Sequence, residues 1–184
     1  LAAMEKASTQ AERAGKIIRR TREFVKKSEP NRALVALAGI VEEAIGFAEI
    51  EARKASVGIR VDIPPDLPPV FADRIMIEQV VLNLVKNGIE AMQQAHTLDR
   101  ELVVSARRDE AGMVEVAVAD RGHGIDGETA DRLFAPFYTT KQEGMGMGLN
   151  ICRSIIEFHK GRMWVDANPE GGTIFRFTLP LEAP

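Results

Sequence analysis

The chain has a single cysteine, Cys152, among 184 residues. No intrachain disulfide can form, which fits a reducing compartment, and a cytoplasmic location is expected. Cys152 lies in an apolar helical pattern, where a small buried core residue is the plain expectation. No apolar run approaches the roughly 18–20 residues that span a bilayer, so no membrane contact is expected. Charge of one sign is not in excess. The 24 Lys and Arg against 27 Asp and Glu leave a net charge of −3, which gives no sign of a nucleic-acid or membrane surface. The start, LAAMEKASTQ, has neither an initiator Met nor the plan of a signal peptide, and the chain is expected to be a piece of something longer. There is no internal repeat and no low-complexity tail.

What is present is ordinary globular composition, 45% hydrophobic and 28% charged. The length supports one domain with a proper core plus an appended element. Residues 2–28 read as one long helix. Met4, Ala7, Ala11, Ala14, Ile18, Thr21 and Val25 alternate at spacings of three and four, a heptad seam. The seam suits a helix packed on its own domain or, preferred here, half of a helical hairpin or dimer bundle. Glu29-Pro30-Asn31 breaks this helix from the rest of the chain, giving a division into 1–30 and 31–184. A second helix is expected over 38–54, a strand over Val57–Ile63, and a surface connection over Pro64–Pro69. Asp73 is a candidate N-cap for a strong helix from 74 to 94. Strands Glu101–Arg107 and Met113–Ala119, a short helix near 127–133, a helix over 148–159 ended by Gly161, and strands Arg162–Ala167 and Thr173–Leu179 complete the order. Paired strands between helices predict an α+β fold, a two-layer sandwich with a mixed or antiparallel sheet and helices on one face.

The helix at 74–94 is apolar nearly all round, yet Asn83, Lys86, Asn87 and Glu90 fall on one narrow arc. Oxygen donors in such a stripe suit a hard cation such as Mg²⁺, which keeps waters and shares phosphate oxygens. An exposed helix face, polar by default, is the other reading. Asp120 ends a strand and is followed by RGHG. Its carboxylate suits a ligand's exocyclic amine, with Gly122 and Gly124 letting the backbone close over a flat ring, although Asp and Gly are also common turn residues. FAPFYTTK, Phe134–Lys141, sets aromatics opposite two hydroxyls and a lysine, and Lys141 is placed to reach a terminal phosphate. GMGMGL comes next, with Gly144, Gly146 and Gly148 leading into a helix at Leu149. A glycine run feeding a helix N-terminus makes a phosphate cradle. No GxxxxGK[ST] string exists, no βαβ unit surrounds the glycines, and the protein-kinase motifs are absent.

In this order, NLVKNGIEA, DRGHG, FAPFYTTK, GMGMGL and GGTIFRFTLP resemble the asparagine box, first glycine box, phenylalanine box and lid, second glycine box and closing strand of the ATP-binding domain of bacterial two-component sensor histidine kinases. That domain has the Bergerat fold of the superfamily that also holds gyrase B, Hsp90 and MutL. The resemblance covers about residues 34–180, and 1–30 resembles the second helix of the family's dimerisation bundle. ICRSIIEFHKGRMWVDANPEGGTIFRFTLP is most similar to FixL-type oxygen sensors and nitrogen-regulation kinases.

The resemblance implies ATP and Mg²⁺ as cofactors. Asn87 would ligand the metal and Asn83 would hold phosphate or water. Asp120 would read the adenine amine, with Gly122 and Gly124 shaping its pocket and Thr173 near the adenine end. Lys141, Gly144, Gly146, Gly148 and Leu149 would cover the phosphates. Lys141 and Glu90 are the candidates for a catalytic role, Glu90 as a water-positioning residue or only a solvated helix position. Gly88 stands in place of the usual alanine. His96, His123 and His159 are the only histidines, and none lies in an HExxxP-like acceptor string. The implied partners are therefore an acceptor-histidine helix of the same kinase, a response regulator and a second copy in a homodimer, and this chain is expected to be inactive in autophosphorylation without that helix. An ATP-hydrolysing module of the same superfamily and a non-enzymatic nucleotide-sensing dimerisation module are the alternatives. The hydrolases carry a catalytic Glu where this chain has Asn83.

Overall fold

The computed structural model describes residues 31–134 and 148–182. The expected helix over 2–28, and Lys141, Gly144 and Gly146, lie outside them. Strand β1 (Arg32–Val35) leads into helix α1 (Leu37–Ala55), which buries Leu37, Ile40, Val41, Ala44, Ala48 and Ala52 at helical spacing. Ser56 ends α1 in the left-handed region (φ 54), and the N–H groups of Ser56 and Val57 close onto the carbonyls of Arg53 and Ala52. Strand β2 (Gly58–Asp62) follows, then β3 (Val70–Asp73) and helix α2 (Arg74–Gln94). Asp73 caps α2 as expected, its Oδ1 accepting from Ile75 N at 3.0 Å and Met76 N at 3.1 Å. Strands β4 (Glu101–Arg108) and β5 (Val114–Ala119) form a hairpin. Helix α3 (Gly127–Arg132), helix α4 (Gly148–Phe158), and strands β6 (Met163–Ala167) and β7 (Thr173–Leu179) complete the described fold.

Two sheets result. The larger runs β2-β4-β5-β7-β6, with β2 and β4 parallel and the other pairs antiparallel, so the sheet is mixed. Period-two alternation turns Leu102, Val104 and Ala106 of β4, Val114, Val116 and Val118 of β5, and Phe175, Phe177 and Leu179 of β7 toward the helices. The register stacks them in rows, Val104 beside Val118 beside Phe175, and Val116 beside Phe177 beside Met163. The opposite face carries a polar ladder, Arg107–Glu115–Arg176–Asp166, with N–O distances of 3.0, 2.9 and 2.8 Å.

The second sheet, β1 with β3, was not legible as strands. Arg32 pairs with Asp73 and Val35 with Val70, each in a segment of only four residues. Helix α2 buries most of its apolar residues but leaves Ile75 72% exposed. Gly161 does not terminate α4 by its own conformation. Lys160 takes the left-handed position (φ 62), and the N–H groups of Lys160 and Gly161 cap the carbonyls of Glu157 and Ile156.

Candidate functional site

Asp120 sits just past the end of β5, held from β7 on one side and from its own turn on the other. Its N–H donates to the Thr173 carbonyl at 2.9 Å. Its Oδ1 accepts from Gly122 N at 2.8 Å and from Thr173 N at 3.3 Å, and Asn168 Nδ2 donates to its carbonyl at 2.8 Å. The other carboxylate oxygen accepts no hydrogen bond from the described residues. Asp120 is 3% exposed. Burial pushes its carboxyl above the usual carboxylate range, opposed by the two N–H donors and by nearby His123. One oxygen is thus fixed by the fold, and among the described residues the second retains its capacity to accept a hydrogen bond.

Three close approaches build the walls. Gly172 has φ +93, and a Cβ there would lie 2.7 Å from both Asp120 Oδ1 and Gly122 N, so only glycine lets the β6–β7 turn close over the aspartate. A Cβ on Gly122 would lie 2.7 Å from Ala91 Cβ. A Cβ on Gly88 would lie 2.6 Å from Leu102 Cδ1 and 3.2 Å from Asp120 Cβ. The Gly122 turn and the Asp120 carboxylate therefore pack directly on α2. Gly88, in place of the usual alanine, makes room for Leu102. Gly124 (φ +74) sits against the Gly172 carbonyl.

The polar stripe of α2 runs alongside. Asn83, Lys86 and Asn87 are half-buried and Glu90 is exposed. Lys86 Nζ reaches Glu51 Oε1 of α1 at 2.8 Å. Asn83 Nδ2 reaches Cys152 Sγ of α4 at 3.1 Å. Gly148 opens α4 beside Asn83, and Leu149 packs half-buried on the core. Asn150 Nδ2 donates to the Phe134 carbonyl at 3.0 Å, and the Arg153 guanidinium lies 5.6 Å from the Phe134 ring centroid. These contacts bring the two flanks of segment 135–147 together. Of the histidines, His96 and His123 are exposed. His159 is buried at 1% exposure, its Nε2 accepting from Asp73 N at 2.9 Å and its Nδ1 facing Ile155 O at 2.8 Å. A hollow of 330 Å³ lined by Phe134, Arg153, Arg162 and Trp164 lies on the β6 side of α4 and shares no residue with the Asp120 cluster.

Residues 72–183 match the family model described as histidine kinase-, DNA gyrase B-, and HSP90-like ATPase. The chain belongs to that family. This ATPase-family chain is 46% identical over 97% of its length to the sensor protein FixL of Bradyrhizobium diazoefficiens, of which it covers 35%. It is likewise 46% identical over 97% of its length to the C4-dicarboxylate transport sensor protein DctS of Rhodobacter capsulatus, of which it covers 27%. It thus spans about a third or less of these curated relatives. Among solved structures, the catalytic domain of histidine kinase ThkA superposes with a TM-score of 0.70 at 32% identity, covering 83% of this chain and 96% of that one. ThkA in complex with response regulator protein TrrA gives a TM-score of 0.74 at 28% identity, covering 95% and 49%. These relatives place the ATPase-family fold among sensor histidine kinase catalytic domains, and the expected two-layer architecture is the observed one.

Within this ATPase fold, the structure brings Asp120, Gly122, Gly124 and Thr173 into one cluster packed on α2 at Gly88, and Asn83 onto Gly148 and Cys152. Reasoning from residues missed Gly172, Asn168 and Ala91 as walls around Asp120.

Proposed function

We propose that this chain is the ATP-binding, phosphoryl-donating part of a two-component sensor histidine kinase. The observation that carries the reading is Asp120: a buried carboxylate with one oxygen tied to backbone N–H groups and the other left for an incoming donor such as the adenine amine. The cluster packs on α2 at Gly88 and Ala91, which supports an order of base, then metal at Asn87, then phosphates at Asn83 along α2. Asn83 and Asn87 offer amide oxygens, and among the described residues no group of three or more His, Cys, Asp or Glu could form a metal cage. That donor set fits Mg²⁺, which is held by one or two protein oxygens together with water and phosphate. Asn87 would hold the ion, which supplies charge neutralisation on the phosphates. Gly122, Gly124 and Thr173 shape the base pocket. Gly148 and Leu149, with Lys141, Gly144 and Gly146, would cover the phosphates, and Lys141 and Glu90 are the candidates for a direct part in transfer. What the chain contributes is positioning and electrostatics, the main demands of phosphoryl transfer.

The acceptor is a histidine on another helix of the kinase, the onward recipient a response regulator, and the full protein a homodimer joined through a bundle that includes residues 1–30. The setting is cytoplasmic. Among the described residues, no helix is long and apolar enough to cross a membrane. The test mixes this chain with a separate acceptor-helix protein and labelled ATP. Labelled histidine on the acceptor is expected, with none on this chain alone. Free phosphate without labelled histidine favours the hydrolase, and neither product favours a sensing module. Asn87→Asp is expected to abolish Mg·ATP binding or transfer, and unchanged affinity and transfer would remove Asn87 from the metal site.

A further inference from the structure

Helix α4 supplies contacts to the Asn83 amide from two positions. Nδ2 lies 3.1 Å from Cys152 Sγ. A Cβ on Gly148 would lie 2.8 Å from Nδ2 and 3.0 Å from Oδ1. Gly148 and Cys152 are separated by one helical turn and so share a face of α4. The Asn83 amide is seated in the notch between them. A thiol both donates and accepts weakly, so it pairs with either end of an amide. Cys152 itself is 1% exposed, and burial pushes its thiol up to about 11. It remains a neutral thiol without solvent access, unsuited to reactivity. Gly148 is also where the glycine run of the sequence ends.

We propose that Gly148 and Cys152 form a positioning notch that holds the Asn83 amide and so sets the register between the first turn of α4 and the phosphate end of α2. The proposal rests on the nucleotide reading of Asn83 and Asn87. An amide already held in one rotamer meets a ligand without the entropy cost of ordering it. A methyl at position 148 would displace the amide. Loss of the polar atom at 152 would let it swing. Cys152 acts through Asn83 and touches no ligand in this scheme.

The experiment titrates Mg·ATP and AMP onto the chain, as wild type, Cys152→Ala, Cys152→Ser, Asn83→Ala and the double variant Asn83→Ala/Cys152→Ala. AMP carries the base but not the terminal phosphates. Cys152→Ala is expected to weaken Mg·ATP binding about threefold to tenfold, the size of one hydrogen bond. AMP binding should stay within about twofold, and Cys152→Ala should add nothing further on the Asn83→Ala background. Cys152→Ser should retain most of the affinity. An equal loss for both nucleotides, a loss that persists without Asn83, or no loss at all overturns the notch and leaves Cys152 as core packing. A wild-type chain that binds no Mg·ATP overturns the nucleotide reading instead, and the proposal with it. A second readout needs no nucleotide. The Asn83 side-chain amide signals are expected to shift in Cys152→Ser more than those of Asn87, and unmoved signals overturn the notch even if the alanine variant fails to fold.

Discussion

A buried carboxylate with one oxygen that accepts no hydrogen bond from the described residues is a cost that the fold carries. Asp120 is that residue. Because burial raises its folded-state pKa, the folded chain binds more protons than the unfolded one between the usual carboxylate value and the raised one. Stability therefore falls as pH rises through that window. Asp120→Asn keeps an acceptor for the Gly122 and Thr173 N–H groups while removing the charge. It also turns a donor toward the ligand side, where adenine presents its own donor. The expected outcome is stability at neutral pH equal to or above wild type, with nucleotide affinity down about 10- to 100-fold, as for loss of a charged hydrogen bond. Denaturant unfolding beside nucleotide titration checks both halves, and a variant that is less stable yet binds normally contradicts the assignment. The Asp-Gly pattern made Asp120 a candidate from residues alone. Gly172 was not, because its need for φ +93 arises only once the β6–β7 turn meets the aspartate.

At the scale of elements, the joint between α4 and α2 depends on His159. It follows the last turn of α4 and accepts the N–H of Asp73, the same residue whose side chain caps α2. One buried imidazole thus ties the end of one helix to the start of another. Burial holds its pKa below the ordinary value, with the Ile155 carbonyl and Asp73 pulling the other way and Arg32 adding to the depression. Above about pH 6.5 the imidazole is neutral in both folded and unfolded chains, and its contribution is fully present. As pH falls below that value the unfolded chain gains a proton that the folded one resists, and stability declines. His159→Ala leaves the Asp73 N–H without its partner, a loss of about 1–3 kcal/mol near pH 7.5. It should also flatten the pH dependence in the range below about pH 6.5. Urea midpoints of both proteins across that range test it, and parallel pH curves would contradict it. Burial keeps His159 a neutral, hydrogen-bonded residue.

At the scale of the whole molecule, neighbouring residues of one strand have unequal weight. Phe177 is 0% exposed and shares its row with Val116 and Met163. Arg176 points to the open face, in the ladder with Glu115 and Asp166. Phe177→Ala should cost about 3–5 kcal/mol by leaving a cavity. Arg176→Met should cost about 1 kcal/mol or less, because solvent screens a partly exposed ion pair. Equal losses in denaturant unfolding would mean that the ladder, not the helix-facing core, carries the sheet.

The sequence by itself determined the periodic elements and the motif order. Helices α1, α2 and α4 and strands β4, β5 and β7 were legible because burial of one face imposes a repeat of 3.6 or 2 on the residues. Asp73 was legible as a cap because capping is a contact between near neighbours in the chain. Tertiary structure decided the rest. The β1–β3 pair joins segments roughly forty residues apart, too short to show a period. The glycines at 88, 122, 148 and 172 are required by atoms from other elements, and the seat of Asn83 on α4 depends on a partner 69 residues away. Such contacts leave no local repeat, so they become visible only when the chain has brought those surfaces together.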